Sequence, residues 1–383
     1  MKWIKTLFVA CFVVFIALVG LGTIDNKEAK SMIEARTLKQ FPDLDYSKCK
    51  DESYLSSIGD AFSDQLSGRE KKIKEYYDLI VNKLHQTYAG SVAIGKNGIL
   101  YEQPQMIEDY TAFDKEAKKC AKLVNKEAAK IAKSGAKFIF INIPSKDVVM
   151  RDDLPSYYPD TEKDYDRYIQ VLKKELSSDV IFIDAKDILE SSEDKQVYYK
   201  VDHHVNATGG QLLYQRIMEI AKKEFPETEV KTLDDYRVTK KAVLGSYNRK
   251  LAYVLPEEKE ELTTRPKWKL KYHRESSKVP LFGKKNTYAS AFMGGDYAYT
   301  KITTEQEKAP SFVLSGSSYT NVLEAFLVPS SRQMISFDYR YNQSGKSLAT
   351  QVEEIKPDYV IYIPSQSNIH FSYDTFKIHL GLK

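Results

Sequence analysis

The chain has 383 residues, of which 42% are hydrophobic and 29% charged, a globular mix that excludes a collagen-like or wholly disordered polymer. Its formal charge is +4, and without Lys2 and Lys5, which precede an apolar run, the excess of base over acid falls to two. So small an excess argues against a nucleic-acid binder, which carries a strongly basic face.

The length suits roughly two average domains, or one large domain with insertions. The uncharged run from Thr6 to Ile24, TLFVACFVVFIALVGLGTI, reaches about 28 Å as a helix at ~1.5 Å per residue, close to the ~30 Å hydrocarbon core. Positive charge ahead of it predicts a cytoplasmic tip at 1–5, a transmembrane anchor at 6–24 and an extracytoplasmic remainder. LVGLGTID lacks an Ala-x-Ala-like cleavage site, and a lipoprotein reading through Cys11 leaves too short an apolar stretch, so the expectation is an uncleaved single-pass anchor. Beyond the span lie Cys49 and Cys120, which are either bridged or two separate thiols. Residues 25–90 read as a polar stalk around Pro42 followed by a helical segment over 51–90, where apolar positions recur every three or four residues.

From Ser91 short apolar runs alternate with longer helical patterns, which sets off 91–383 as one domain. SVAIGKNGILY is a hairpin around Lys96–Asn97–Gly98. An amphipathic helix over 112–134 leads into KFIFINIP, a run that suits a strand buried on both faces. A helix at 161–177 precedes DVIFIDA at 179–185, and another helix occupies 207–223. Then come SFVLSG at 311–316, a helix at 319–327, MISFDY at 334–339, a helix near 345–356 and DYVIYIP at 358–364. Such alternation predicts an α/β sandwich with a mostly parallel sheet covered on both sides. It breaks between about 227 and 290, an insertion containing PKWKLKY. There Lys267, Lys269 and Lys271 alternate with Trp268, Leu270 and Tyr272. This reads as an amphipathic strand with a solvated basic face, or as a contact for an anionic polymer or lipid headgroups.

Six histidines occur, at 85, 203, 204, 273, 370 and 379; only the pair His203–His204 follows a carboxylate, Asp202, in YYKVDHHVNATGG. In a loop, Asp202 can fold back onto the His204 imidazole, fix its tautomer and stabilise the imidazolium. His203 would point the other way and play a supporting part. Asp-His-His could also be a metal fragment, but no second cluster with matching spacing accompanies it, and no metal is expected. The second constellation is SFVLSGSSYTNVLEAFL, an apolar strand running through Ser315–Gly316–Ser317–Ser318 into a helix. A serine at such a turn has an exposed hydroxyl, an N–H that can face an oxyanion, and a helix N-terminus beside it; otherwise it is simply a helix cap. A base elsewhere in the chain, such as His204, favours the nucleophile.

At these residues the sequence resembles a known group. SGSSY stands where SGNH-type hydrolases carry Gly-Asp-Ser, and VDHHVNATGG is similar to the signature of the family named for its Asp-His-His-Trp motif. That family is akin to alginate O-acetylation proteins and the serine acyltransferases of bacterial cell-wall glycans. FSDQLSGRE at 62–70, AIGKNGILY at 93–101, NIPSKDVV at 142–149, AFMGGDYAY at 291–299 and FDYRYNQSG at 337–345 extend the likeness in order. The resemblance implies an SGNH-like three-layer sandwich with permuted motif order, Ser318 as nucleophile, His204 as base and Asp202 as the orienting acid. It also implies substrate or oxyanion roles for Gly294, Gly295, Ser317, Tyr319 and Arg340. Three positions depart from the pattern. Val205 replaces the motif's Trp, Ser317 the usual Asp, and Asp296 the Asn of a Gly-x-Asn oxyanion element, where an ionised carboxylate cannot donate. Backbone N–H groups of Gly295 and Ser318 are therefore the expected oxyanion donors, and Arg340 is either a substrate contact or half of an ion pair.

The implied activity is extracytoplasmic O-acetyl transfer to a cell-wall glycan or exported polysaccharide. The resemblance also implies a multi-pass membrane acyltransferase as donor partner, because acetyl-coenzyme A is cytosolic; nothing in the chain resembles a coenzyme A or nucleotide site, and no cofactor is expected. A glycan acetylesterase with the same residues, or a non-catalytic glycan-binding scaffold using the basic stretch 267–285, are the competing readings.

Overall fold

A computed structural model describes residues 2–104, 106–256, 259–275, 277–283, 286–364 and 371–382; His370, Lys284 and Lys285 lie outside them. The chain divides into two compact units, residues 1–92 with 248–256, and residues 93–247 with 257–383.

In the first unit the apolar run forms the helix Lys2–Asp25, whose side chains are almost all exposed. Trp3–Asp25 has a mean hydropathy of 2.8 and is, among the described residues, the one helix long and apolar enough to cross a membrane. Its far end is tied down. Thr23 Oγ1 accepts the Ser67 N–H at 3.2 Å, and Asn26 Nδ2 donates to the Gln65 carbonyl at 3.1 Å. Gln65, fully buried, donates from Nε2 to the Glu28 and Lys39 carbonyls, each at 2.9 Å. Arg36 grips Asp64 through both terminal nitrogens. Residues 26–40 therefore fold back along the end of the helix Glu52–Asp64.

The second unit is built on a seven-stranded sheet in the order Tyr272–Arg274, Tyr299–Thr304, Gln333–Phe337, Ser311–Gly316, Tyr359–Ile363, Lys137–Asn142 and Val180–Asp184. The last five run parallel, and the first two add antiparallel pairings at one edge. Ser311–Gly316 and Tyr359–Ile363 are buried at every residue, as expected of apolar-cored strands in a sheet covered on both faces. Phe138, Phe140, Val313, Ile335 and Tyr362 meet the helices Tyr110–Ala132 and Thr161–Glu175 in one core. Ala207–Ala221 and Thr320–Leu327 pack together through Tyr214 and Phe326, both fully buried.

The helical segment expected over 51–90 forms as Glu52–Asp64 and Arg69–Asp78, the latter continuing through Leu79–Lys83, with a break at the left-handed Gly68 and a short strand at Tyr88–Ala89. In the second unit the expected helices and sheet strands form within a few residues of their sequence-read bounds. The hairpin turn at Lys96–Gly98 forms too, closed by the Gly95 N–H on the Ile99 carbonyl, with Asn97 at φ 56° and Gly98 at φ 71°. The exception is 267–271, which is not a strand. The extended segment is Lys259–Pro266, paired antiparallel with Tyr236–Ala242. The alternation of exposure nevertheless holds, with the three lysines exposed and Trp268 and Leu270 half-buried. Side-chain anchoring rather than sheet pairing sets it: Trp268 packs edge-on against Tyr236 at 5.2 Å under the Lys231 ammonium. All three cysteines are free; Cys11 and Cys49 are exposed and Cys120 is buried.

Candidate functional site

Two turns converge at the carboxyl end of the parallel strands. The first is a tight antiparallel loop. Tyr198 bridges Val205, the Tyr199 N–H donates to the His204 carbonyl at 3.1 Å, and the Asn206 N–H donates to the Val197 carbonyl at 2.9 Å. Asp202, His203 and His204 thus occupy the tip, and Asn206 caps the helix Ala207–Ala221 through its bond from the Gly209 N–H. Val205, fully buried, lies in the loop stem. The double glycine after it has a steric reason: a Cβ on Gly210 would stand 2.2 Å from Val322 Cγ2, so only glycine lets this helix lie against Thr320–Leu327.

The second turn follows Ser311–Gly316. Ser317 is buried and its carbonyl accepts the Thr320 N–H at 3.0 Å; Ser318 is half-buried beside it. Ser318 is not the helix cap. Tyr319 takes that position, without a capping side chain, and the Ser318 hydroxyl is turned to the other loop. His204 Nε2 lies 2.8 Å from Ser318 Oγ, across a separation of 114 residues.

Asp202 sets the direction of that contact. Its Oδ1 accepts from the His204 backbone N–H at 3.0 Å and lies 2.6 Å from His204 Nδ1, while its Oδ2 accepts the Ser246 N–H at 2.7 Å. Burial alone would raise the carboxyl pKa, but His203, His204 and these N–H donors hold it well below the ordinary carboxylate value. An ionised carboxylate only accepts, so the imidazole proton sits on Nδ1 and Nε2 is left to accept from Ser318.

Residues that sequence reasoning did not single out complete the surroundings. Tyr288 lies flat on the His204 ring, with centroids 3.7 Å apart and planes within 6°. Its hydroxyl donates to the Ser318 carbonyl at 2.9 Å and accepts the Val322 N–H at 3.3 Å. Ser246 and Tyr247 close the loop from the irregular insertion, Tyr247 through its N–H to the Val201 carbonyl at 3.1 Å. Buried Lys146 donates to the Leu100, Tyr199 and Lys200 carbonyls at 2.6–2.8 Å, pinning the loop stem. Burial pushes the Lys146 pKa down, and the Glu260 and Asp202 carboxylates oppose it. Lys146 lies within NIPSKDVV and Tyr288 just before AFMGGDYAY, so adjacency to those motifs was the available signal. Ser246 and Tyr247 carried none.

The other sequence-named residues divide in two. His203 does not point away: its ring lies 3.9 Å from that of His204, and Nδ1 is 2.7 Å from Ser246 Oγ. The short loop leaves both rings on the same side, against Tyr319, whose hydroxyl donates to the His203 carbonyl at 3.1 Å. Arg340 is ion-paired, forking onto Asp338 and reaching Asp296 Oδ2 at 3.1 Å. Asp296 Oδ1 accepts from Asn321 Nδ2 at 2.8 Å, so both its oxygens act as acceptors. Met293, Gly294 and Gly295 all have positive φ, and a Cβ on Gly294 would meet Val279 Cγ1 at 2.1 Å; this loop needs its glycines.

Asp202, His203 and His204 place possible metal ligands within 4.8 Å of one another. Their contacts are those of a hydrogen-bonded relay instead. Both Asp202 oxygens accept N–H groups, His203 Nδ1 meets Ser246, and His204 Nε2 meets Ser318.

Residues 92–327 match the family described as "SGNH hydrolase-like domain, acetyltransferase AlgX". No curated protein matches the sequence. Among solved structures, a DHHW family protein from Eubacterium siraeum superposes with a TM-score of 0.59 at 17% identity, over 76% of this chain and 95% of that one. Bacillus cereus PatB1 carrying a sulfonyl adduct gives 0.59 at 20% identity, over 73% and 96%. At these identities the likeness establishes the fold: a central, mostly parallel sheet in an SGNH hydrolase-like sandwich.

Proposed function

The chain belongs to the family of AlgX-type SGNH hydrolase-like acetyltransferase domains, and from that premise we propose that it is a membrane-anchored enzyme moving acetyl groups onto an extracytoplasmic polysaccharide through an acyl-serine. The observation that carries the proposal is the 2.8 Å approach of His204 Nε2 to Ser318 Oγ, backed by Asp202 on Nδ1.

In the first half-reaction Ser318 Oγ attacks the acetyl carbonyl while Nε2 takes its proton, and Asp202 stabilises the imidazolium. The oxyanion faces the N–H groups of Ser318 and Gly295 at the end of the sheet. His204 then hands the proton to the departing donor oxygen. In the second half-reaction a sugar hydroxyl loses its proton to Nε2, attacks the acyl carbonyl and leaves as the acetyl ester, and Ser318 recovers its hydrogen. The Lys2–Asp25 helix supports a membrane anchor, with Lys2 and Lys5 on the cytoplasmic side. In that arrangement acetyl groups reach Ser318 from a multi-pass membrane acyltransferase.

The test uses the full chain in detergent, with an acetyl ester donor and graded glycan acceptor. Acetylated glycan that rises with acceptor concentration, and is lost in Ser318→Ala, is the expected result. Free acetate as the sole product at every concentration would make the chain an esterase. Undiminished transfer by Ser318→Ala would remove the serine mechanism.

A further inference from the structure

The insertion forms a groove of about 820 Å³ that Asp202, His204 and Ser318 do not line, within the ~300–1,000 Å³ usual for ligand sites. Its floor and walls include Trp268, Leu270, Tyr272, Leu281 and Phe282, and its lining extends to Ser290 and Gly294. Those last two lead to the reaction centre. Ser290 shares a one-turn helix, Tyr288–Ala291, with the tyrosine stacked on His204, and Gly294 precedes the proposed oxyanion donor. Arg274 fastens the edges together, donating to the Val279 carbonyl at 3.2 Å and the Met293 carbonyl at 2.8 Å.

Charge identifies the occupant. The ten residues from Arg265 to Arg274 contain six basic side chains, counting His273, and no acid. Arg265 and Lys269 line the groove, and among the described residues neither pairs with a carboxylate. Lys271 is held by Glu305 at 3.0 Å and Lys267 by the Asp234 carbonyl at 2.5 Å, both outside the lining. An aromatic, apolar trough with unpaired cations at its rim matches a pyranose chain that bears carboxylate or phosphate groups: ring C–H faces lie on the aromatic side chains and the anions meet Arg265 and Lys269. We infer that this groove is the acceptor subsite and that the acceptor is an anionic glycan. The inference rests on the acetyltransferase reading for its purpose, but the binding itself does not depend on Ser318.

The chain has only two tryptophans, Trp3 in the apolar helix and Trp268 in the groove, so in a Trp3→Phe background the emission reports Trp268 alone. Titrating the full chain in neutral detergent with oligogalacturonate should change that emission saturably, whereas a neutral malto-oligosaccharide of equal length should not. Arg265→Glu combined with Lys269→Glu should weaken binding about tenfold or more, and Trp268→Phe, read by calorimetry, should retain most of the affinity that Trp268→Ala loses. In all of these variants the acetyl-ester burst from Ser318 should stay within about twofold of the parent. Equal binding of neutral and anionic glycans, or full binding by the charge-reversed variant, overturns the inference. So does exclusive binding of dihexanoylphosphatidylglycerol, which would make the groove a lipid site. Loss of the burst in the parent chain with glycan binding intact would instead count against the serine mechanism.

Discussion

Replacing Asp202 with asparagine perturbs the relay without changing its shape, and the structure sets the size of the effect. The carboxylate serves three donors: the His204 backbone N–H at 3.0 Å, His204 Nδ1 at 2.6 Å and the Ser246 N–H at 2.7 Å. Asparagine offers one acceptor oxygen and one NH₂. With the NH₂ toward Ser246, two donors face each other in a buried site, at a cost of about 1–3 kcal/mol. With the NH₂ toward His204, the ring must carry its proton on Nε2 and directs an N–H at Ser318, which leaves it unable to act as base. Either way the charge opposing the imidazolium is gone. At 2.6 Å and an effective dielectric of ~20, that charge is worth at most about 6 kcal/mol, of which the asparagine carbonyl returns part. The expected fall in acylation is therefore about 10³- to 10⁴-fold, or ~4–5.5 kcal/mol. The assay is the 4-nitrophenol burst from 4-nitrophenyl acetate by the full chain in detergent, with the melting transition as the control for folding. A folded Asp202→Asn protein that acylates within about tenfold of the parent would refute the relay.

Three further outcomes are expected. Tyr288→Ala removes the ring lying 3.7 Å from His204 and should slow the burst up to about tenfold; Tyr288→Phe, which keeps the ring but loses the bonds to Ser318 and Val322, should fall between it and the parent. Gly210→Ala would stabilise an isolated helix by about 1 kcal/mol. Here the added Cβ meets buried, β-branched Val322 at 2.2 Å, so urea unfolding should show a net loss of about 1–3 kcal/mol, and a gain would disprove the helix contact. Buried His379 has its pKa pushed down to about 4, by burial first and by Arg340 second. Since the unfolded imidazole takes its proton near pH 6.5, stability should fall as pH drops from about 6.5 to 4, by roughly 2 kcal/mol at pH 5. His379→Gln should flatten that part of the urea-midpoint profile, and parallel profiles would contradict the burial argument.

Local rules carry much of this fold. Nearly continuous apolar runs such as FIFI in KFIFINIP and FVL in SFVLSG specify strands covered on both faces, and the helical periods between them dictate parallel connections. Asp202 and His204 meet because only one residue separates them in a loop, so that contact is written in the sequence. The 267–271 segment went the other way: alternation there comes from Trp268 wedging against Tyr236, and a period of two cannot distinguish wedging from sheet pairing.

By itself, the order of residues determined the apolar N-terminal helix, the alternation that builds the sandwich, and a serine and a histidine each at a strand-to-helix turn. Tertiary structure alone decided that these turns share one edge, that Ser246 and Tyr288 from the insertion at about 227–290 support Asp202 and His204, and that Arg340 is occupied by Asp338 and Asp296. The physical reason is range. Periodicity and turn chemistry act over a few residues, whereas a relay joining positions 202, 246, 288 and 318 exists only after long-range packing has closed the chain around it.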